Sequence, residues 1–255
     1  MLKRLIFAVI ISLVSCSVDE LPSCNGIGIE GEICKEYQYV NGDFNGSNQY
    51  FYDLDTQLKT KTITKGKNGN EEGSTLYAYD SLKRISQITL EDINGRELSV
   101  KTLKYSDSGF LILEKIEGQL NTTFERHFEN NALVAETYMQ DGGVLWVDSL
   151  EYFSGTESLY RKIRYSNNSI TQIIYFEDYS NNVKEEKITD ANGMIQSRKV
   201  LKFDENDNIL EELIYSESDL LVKQSIYSYE SGLLERVVKF NGAGVEFERF
   251  EYQRF

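Results

Sequence analysis

Short runs in which apolar and polar residues alternate occupy most of the chain. A period of two is that of a β-strand, whose successive side chains point to opposite faces of a sheet. The last aromatic residue before each polar turn recurs about every 25 residues, which indicates an internal repeat. These landmark aromatics are Tyr52, Tyr79, Tyr105, Phe128, Tyr152, Tyr179, Phe203, Tyr229 and Tyr252.

A second series of turn residues lies midway between the landmarks. It consists of Asn68-Gly69, Asn94-Gly95, Glu117-Gly118, Asp141-Gly142, Asn167-Asn168, Asn192-Gly193, Glu217-Ser218 and Asn241-Gly242. Asn-Gly and Asp-Gly between alternating runs predict hairpins with type I′ turns, in which both central residues have positive φ. Each unit then holds two strands of roughly 8 residues, and eight units predict about 16 antiparallel strands.

One face of the predicted sheet is largely apolar. The position two before each landmark shares its face. These positions are Tyr50, Tyr77, Leu103, Arg126, Leu150, Glu177, Leu201, Tyr227 and Phe250. The residues between ladder and landmark, such as Lys104, Glu151 and Lys202, are mostly polar. We therefore predict an all-β fold over residues 46–255, either a single curled sheet or a closed barrel whose ladder face is half-buried or lines a lumen.

The first 15 residues have the pattern of a secretory signal peptide. Lys3 and Arg4 precede an apolar run of roughly ten residues, which is shorter than the ~20 that a transmembrane helix needs. The run ends in Leu13-Val14-Ser15-Cys16, which resembles the lipobox of bacterial lipoproteins and implies that Cys16 is acylated. An ordinary signal peptide with an incidental cysteine is the alternative. Ser17 does not resemble the aspartate that retains lipoproteins at the inner membrane, so we expect anchoring at the outer membrane, on its periplasmic or cell-surface side.

Residues 16–45 are predicted to form the anchor and a linker that contains a disulfide. Cys24 and Cys34 enclose a glycine-rich loop, and an exported protein meets an oxidising compartment. We therefore expect a disulfide between them, with two free thiols as the alternative. A metal site would need further ligands, and the only histidine, His127, is far away in sequence.

The charge of the chain excludes some partners. The net charge is −14, and loss of the signal peptide would leave 25 basic against 41 acidic residues, or −16. Nucleic acid and anionic lipid head groups both require a basic surface, so neither is an expected partner. No glycine-rich phosphate loop or dinucleotide fingerprint opens a helix, and no cofactor is predicted.

Candidate catalytic and metal-binding groups are few. A Ser-His-Asp triad or a histidine metal site would have to use His127, which the alternation places as an ordinary strand residue. Residues 204–208 alternate oxygen ligands as a calcium loop does. They lack its glycine, however, and Tyr215 stands where a glutamate would close the loop. Turn chemistry explains the segment, so we predict no metal site and no catalytic site.

The carboxylates and the single tryptophan leave an enzymatic alternative open. Adjacent acids at Glu71-Glu72, Glu185-Glu186 and Glu211-Glu212 could supply the carboxylate pair that glycoside hydrolysis requires. Trp146 could stack on a ligand, or it could simply pack against its neighbours.

The segment Tyr79-Asp80-Ser-Leu-Lys83-Arg84-Ile85 resembles the Tyr-Asp repeat of Rhs-type proteins, in which Tyr-Asp is followed by two variable residues, Gly, Arg and an aliphatic. Lys83 stands where the family has Gly. The resemblance covers residues 50–255 in degenerate form. The chain also resembles gut-bacterial lipoproteins of Bacteroidota, of unknown function, with a porin-like β fold. Rhs shells are far longer and enclose a C-terminal toxin, and we expect no toxin domain after Phe255.

Three functions are compatible with these features. The first is non-enzymatic binding of a glycan, peptide or protein partner by a lipid-anchored exported protein. The second is a structural or scaffold role for the repeats. The third is a carboxylate hydrolase inside a barrel lumen. Clustered carboxylates beside Trp146 would favour the hydrolase. A lumen packed shut with Tyr and Phe would favour the scaffold role, and an open aromatic surface would favour the binding protein.

Overall fold

The computed structural model describes residues 28–156, 158–180 and 182–255 and confirms the all-β prediction. Eighteen antiparallel strands form one closed barrel. The strands are β1 Ile33–Val40, β2 Asp43–Tyr52, β3 Lys59–Gly66, β4 Glu71–Tyr79, β5 Ile85–Asp92, β6 Glu97–Tyr105, β7 Leu111–Glu117, β8 Thr122–Glu129, β9 Ala132–Gln140, β10 Gly143–Tyr152, β11 Leu159–Ser166, β12 Ser169–Ser180, β13 Val183–Thr189, β14 Ile195–Phe203, β15 Ile209–Ser216, β16 Leu221–Glu230, β17 Leu233–Asn241 and β18 Glu246–Arg254. Within these ranges no helix has the length and apolar character needed to cross a membrane.

The barrel has more strands than the predicted 16 or so because the repeat begins one hairpin earlier. Asn41-Gly42 joins β1 to β2, and φ is positive at both residues, at 51° and 85°, as a type I′ turn requires. A count that starts at Tyr52 omits this hairpin. β1 therefore lies inside the segment that the sequence assigned to the anchor and linker.

Pairing of β1 with both β2 and β18 closes the sheet. Glu36 on β1 lies opposite Asn48 on one side and opposite Tyr252 on the other. A closed sheet has no unpaired edge strand. Contacts with other molecules must therefore use the lumen, the convex face or the two rims.

The turns fall at two ends because neighbouring strands alternate in direction. We call the end where β1 begins and β18 ends the entry rim; it carries the turns that follow even-numbered strands. The far rim carries the turns that join each odd-numbered strand to the next strand.

A landmark tyrosine fastens the base of most hairpins at the entry rim. Tyr105, at the end of β6, donates a hydrogen bond of 2.9 Å from its hydroxyl to the carbonyl of Ile85, where β5 begins. The same bond is made by Tyr52, Tyr79, Tyr152 and Tyr229. Recurrence of the bond explains why the repeat keeps an aromatic residue at this position.

The last hairpin uses a different residue for this contact. Arg254 donates to the carbonyl of Leu234 at 2.8 Å, twenty positions back along the chain, as the tyrosines do. Arg254 is thus the structural equivalent of the landmarks. Tyr252, which the sequence analysis took as the ninth landmark, is the ladder residue two positions before it.

The landmark face is the concave face of the barrel. Lys162 on β11 reaches Glu136 on β9 across the intervening β10, with 2.6 Å between Nζ and Oε2. Burial chiefly raises the pKa of Tyr50 on β2, and Tyr252 on β18 adds to this effect from across β1. Side chains converge in this way on the inner side of a curled sheet. The strand register places all four residues on the same face as the landmarks.

The register also corrects two members of the predicted ladder. On β12 a bulge between Asp178 and Ser180 shifts the alternation, so Phe176 faces the lumen and Glu177 faces outward. On β18 the ladder residue is Tyr252 in place of Phe250, although both face inward. The predicted polar positions, such as Lys104 and Glu151, lie on the convex face.

Two kinds of turn connect the strands, and one of them corrects the type I′ prediction. Asp141-Gly142 and Asn167-Asn168 have positive φ at both residues, as predicted. At Asn94-Gly95 and Asn192-Gly193 only the glycine does, at 75° and 83°. These two are longer loops in which one left-handed residue re-enters the sheet.

Most of the longer turns share one capping scheme, and the Tyr-Asp motif is an instance of it. The Asp80 carboxylate accepts hydrogen bonds from the backbone N–H groups of Leu82 and Arg84, and from the Arg84 guanidinium at 2.7 Å. Lys83 has φ of 61°, the left-handed conformation that explains the glycine of the Rhs pattern. Arg84 lies 4.3 Å above the Tyr105 ring of the next unit and so links neighbouring repeats.

Few apolar side chains are buried among the described residues. They are Cys34, Tyr37, Leu150, Ile163, Val200 and Val237. Most lumen-facing tyrosines and phenylalanines remain partly exposed. The lumen is therefore not packed shut by aromatic side chains, which was the condition for a purely structural role.

Candidate functional site

A continuous chain of ion pairs crosses one side of the lumen. It runs through Lys101, Glu114, Arg126, Glu136, Lys162, Asp148 and Arg164, which lie on β6 to β11. We call these seven residues the ionic network. Three carboxylates face four cationic groups, so each acid has a cationic partner. Burial raises the pKa of Glu114, but the bonds from Lys101 and Arg126 outweigh it and hold that pKa below its ordinary value.

Asp148 is the most buried member of the network, with 0% of its surface exposed. Arg164 binds both of its carboxylate oxygens, at 2.8 and 2.9 Å, in a bidentate pair. This bond raises the pKa of the Arg164 guanidinium. Lys162 adds a contact of 3.6 Å. Asp148 therefore holds neighbouring strands together and is closed to solvent.

Three aromatic rings extend the ionic network toward the far rim. Trp146 stacks on Tyr138 with 5.3 Å between ring centroids, and Phe124 meets it edge-on at 5.7 Å. The Arg164 guanidinium lies 4.0 Å from the Trp146 ring centre. Tyr138 comes from one neighbouring strand and Arg164 from the other, so both faces of the indole are covered. The arrangement supports the packing interpretation of Trp146.

The carboxylates are poorly placed for hydrolysis. Successive strand residues point to opposite faces, so Glu185 faces outward and Glu186 inward, and the same holds for Glu211 and Glu212. Glu136 and Asp148, on β9 and β10, are one pair of acids that the fold brings together on the lumen face. Both are engaged by cations, whereas glycoside hydrolysis requires one protonated carboxyl group and one free carboxylate beside an open cleft.

A second group of lumen side chains lies on the opposite side of the barrel. Tyr50, Tyr77, Tyr227 and Tyr252 occupy ladder positions on β2, β4, β16 and β18, and we call them the tyrosine cluster. All four are partly exposed. None stacks on another ring in the described part of the chain.

Polar groups surround the tyrosine cluster. Lys59 places its ammonium 4.3 Å from the centre of the Tyr77 ring and 5.3 Å from that of Tyr50. The hydroxyl groups of Thr62 and Tyr77 are 3.3 Å apart. Burial and the nearby Glu36 raise the pKa of the Tyr252 hydroxyl to about 12, and burial also raises that of Tyr50 well above its ordinary value. The hydroxyls thus remain protonated donors at neutral pH, next to partly open aromatic faces.

The remaining sequence-predicted residues lie apart from both lumen groups. His127 is on the convex face, 3.5 Å from Glu129. The Asp204 carboxylate accepts bonds from Asn206 and Asn208 and caps a turn at the entry rim. Across the described segments of the chain, no three metal-ligating side chains come together.

The anchor and disulfide residues fall mostly outside the described part of the chain. Cys16 and Cys24 precede residue 28. Cys34 is buried near the start of β1, with 2% of its surface exposed. Acylation of Cys16 and the bond between Cys24 and Cys34 therefore stay predictions.

Comparison with known proteins supports the fold. No protein-family model matches the sequence, and no curated protein sequence matches it. A crystal structure of a porin-like protein from Bacteroides uniformis ATCC 8492 matches 92% of this chain and 100% of its own, with a TM-score of 0.50 at 11% identity. A porin-like protein from Bacteroides vulgatus ATCC 8482 matches 87% of this chain and 97% of its own, with a TM-score of 0.41 at 9% identity.

A stretch of a much longer chain is also similar. The crystal structure of TcdB2-TccC3-TEV matches 79% of this chain and 13% of its own, with a TM-score of 0.39 at 12% identity. At these identities the likeness concerns the fold alone. The predicted porin-like β fold is therefore confirmed as a fold, without a function attached to it.

Sequence reasoning placed three tyrosines of the cluster in the ladder and the fourth, Tyr252, among the landmarks, but it did not predict that they gather at one side. It missed the ionic network. The network joins Lys101, Arg126 and Arg164 to acids that are ten or more positions away along the chain. Its only sequence signal was Arg126 in an otherwise mostly apolar ladder, since an inward-facing cation needs an acid on the neighbouring strands.

Proposed function

We propose that this protein is a lipid-anchored, non-enzymatic binding protein of the bacterial envelope, and that its barrel lumen takes up a glycan or peptide ligand at the tyrosine cluster. The observation that carries the proposal is the group of unstacked, partly exposed tyrosines beside Lys59. Aromatic faces next to hydroxyl and ammonium donors suit ligands that alternate apolar C–H surfaces with polar groups.

The paired carboxylates argue against the hydrolase alternative. A catalytic acid must exchange protons with a substrate. The buried members of the ionic network are bound to cations, and Asp148 has no exposed surface. These groups stabilise the wall of the lumen and leave the tyrosine cluster as the open surface.

The convex face favours a barrel that is tethered to a membrane over one that crosses it with its strands. Glu185 points outward near the middle of β13, where Arg198 and Lys187 each lie 3.7 Å away. Lys202 and Glu211 form a further outward pair on β14 and β15. Charged groups on a lipid-facing surface are strongly destabilising near the bilayer midplane. An anchor on Cys16 would hold such a barrel at the outer membrane in an aqueous compartment.

The anchor is tested by metabolic labelling with a clickable fatty acid in a bacterium that processes lipoproteins. We expect wild-type protein to be labelled and the Cys16→Ala variant to be unlabelled, because acylation requires the thiol of that residue. The Cys24→Ala variant is the matched control and should label as wild type does. Equal labelling of wild type and Cys16→Ala would refute the anchor.

The binding site is tested with arrays of defined oligosaccharides and peptides probed with fluorescent mature protein. For a ligand found there, Tyr77→Ser should weaken binding about tenfold in titration calorimetry, because loss of roughly 1.4 kcal/mol of stacking and hydrogen bonding changes Kd by that factor. Tyr165→Ser, on the convex face, is the control and should leave Kd unchanged. Equal affinities of the Tyr77 and Tyr165 variants would place the ligand elsewhere, and failure to bind any array member would count against the function.

A further inference from the structure

Three consecutive hairpins expose a large apolar side chain at the same position of the far rim. Met194, Leu220 and Val245 are 70%, 67% and 58% exposed. Each is the first residue after a longer turn, four positions beyond the capping residue, and each donates its backbone N–H to the capping side chain. They belong to the turns β13–β14, β15–β16 and β17–β18. We call these three residues the apolar arc.

The turn itself does not require an apolar residue at this position. In four other turns of this kind the residue four after the cap makes a contact within the chain. Arg84 and Asn208 bind the carboxylate of their own capping residue, and Arg96 lies 3.2 Å from that of Asp92. Phe110 stacks on Phe128 with 4.7 Å between ring centroids. The arc residues differ from these four in placing an exposed apolar side chain at the same position.

Neighbouring residues enlarge the same surface. Ile195 follows Met194 and is 46% exposed, and Val222 lies two positions after Leu220 and is 51% exposed. Hairpins that are adjacent in the sheet are about 10 Å apart, since neighbouring strands are spaced by about 4.8 Å. Members of the arc can therefore contact one partner together. Exposed apolar groups gathered on one surface are typical of interaction sites.

The charges beside the arc identify the kind of partner. Asp190 caps the first turn, and Glu217 and Asp219 lie in the second, where the Asp219 side chain is 74% exposed even though it contacts Arg198. An acidic border disfavours anionic lipid and disfavours a second copy of the same rim. It favours a protein that is apolar at the centre of its contact surface and basic around it.

We propose that the apolar arc is the docking surface for such a protein, on the rim opposite the one where β1 enters the barrel. The proposal does not depend on a ligand in the lumen. A closed barrel has no free strand edge to offer, so its rims are the natural place for a protein contact.

The test introduces a photoreactive phenylalanine analogue at Leu220 in cells that make the full chain. Leu82 provides a matched control, since it lies in a turn of the entry rim and is also 67% exposed. We expect light to produce an adduct with one other protein from position 220 and none from position 82. That protein, once identified and purified, should bind the wild-type chain and bind the Met194→Ser, Leu220→Ser, Val245→Ser variant at least tenfold more weakly. Its binding should also weaken as salt is raised, because salt screens the acidic border.

The other outcomes overturn the proposal. An adduct of twice the mass of the chain would indicate a second copy as the occupant. Arc-dependent sedimentation with phosphatidylcholine vesicles, with no protein adduct, would indicate a lipid surface. Adducts at both positions, no adduct at 220, or unchanged affinity of a triple variant that melts as wild type does would each exclude the arc as a protein docking site.

Discussion

Replacing Asp148 by Ala should lower the free energy of unfolding by about 3 to 5 kcal/mol, the usual cost of removing one partner from a buried ion pair. Arg164 would lose both of its bidentate bonds, and Lys162 would lose one of its two acidic neighbours. The two network cations on β11, Lys162 and Arg164, would then have too few carboxylate partners. Urea denaturation followed by circular dichroism measures the change.

Two further variants distinguish the contribution of the buried Asp148–Arg164 pair to stability from that of an ordinary ion pair. Glu151→Ala removes the partner of Arg161 on the convex face, where the two side chains are 42% and 32% exposed, and it should cost far less because solvent-accessible pairs contribute little. Adding Arg164→Met to Asp148→Ala should restore part of the lost stability, since the cation without a partner accounts for much of the cost. An Asp148→Ala variant as stable as Glu151→Ala would show that the ionic network does not hold the wall together.

The features that could be predicted from sequence are those with a local cause. Alternation of period two fixes the strands, and the entry-rim tyrosines recur because each hairpin reuses one bond, such as that from Tyr105 to Ile85. The Tyr-Asp motif is equally local, since Asp80 caps its own turn. These signals required no knowledge of which strands pair across the barrel.

The features that were missed depend on register and closure. A bulge on β12 turned Glu177 outward, and a two-residue offset exchanged Tyr252 for Arg254 as the last landmark. A bulge changes the face of every residue beyond it, so errors of this kind cannot be seen in the alternation alone. The choice between an open sheet and a barrel likewise depended on the pairing of β1 with β18, whose residues are some 210 positions apart.

The lumen shows why composition alone did not select a function. The acidic composition left carboxylates open as catalytic groups, yet the fold distributes adjacent acids to opposite faces and pairs Glu136 and Asp148 with cations. The ladder tyrosines, which composition assigns simply to strands, gather where β2, β4, β16 and β18 meet around the closure. The repeated strands thus give the lumen two chemically different sides, the ionic network on one and the tyrosine cluster on the other.

Replacing Gly95 and Gly193 by Val in the same chain should lower the free energy of unfolding by about 2 to 4 kcal/mol, since each site contributes roughly 1 to 2 kcal/mol of backbone strain. Both glycines have φ in the left-handed region, at 75° and 83°, and a β-branched residue is poorly tolerated there. An added Cβ would meet no atom within 4 Å at either site. The loss of stability would therefore report backbone strain and not a steric clash. Each single variant should cost about half of the double variant, because eight strands, β6 to β13, separate the two turns and distant sites add to within about 0.5 kcal/mol.

Gly143→Val is the control for this prediction. Gly143 lies at the start of β10 without a left-handed φ, and an added Cβ would come no closer than 3.6 Å to the Gln140 carbonyl oxygen. A valine there has a strand conformation that suits it, so its denaturation midpoint in urea should stay close to that of wild type. If Gly143→Val were as destabilising as Gly95→Val, the effect would come from loss of glycine in general. If the double variant departed widely from the sum of the singles, the two hairpins would be coupled rather than repeated independent units.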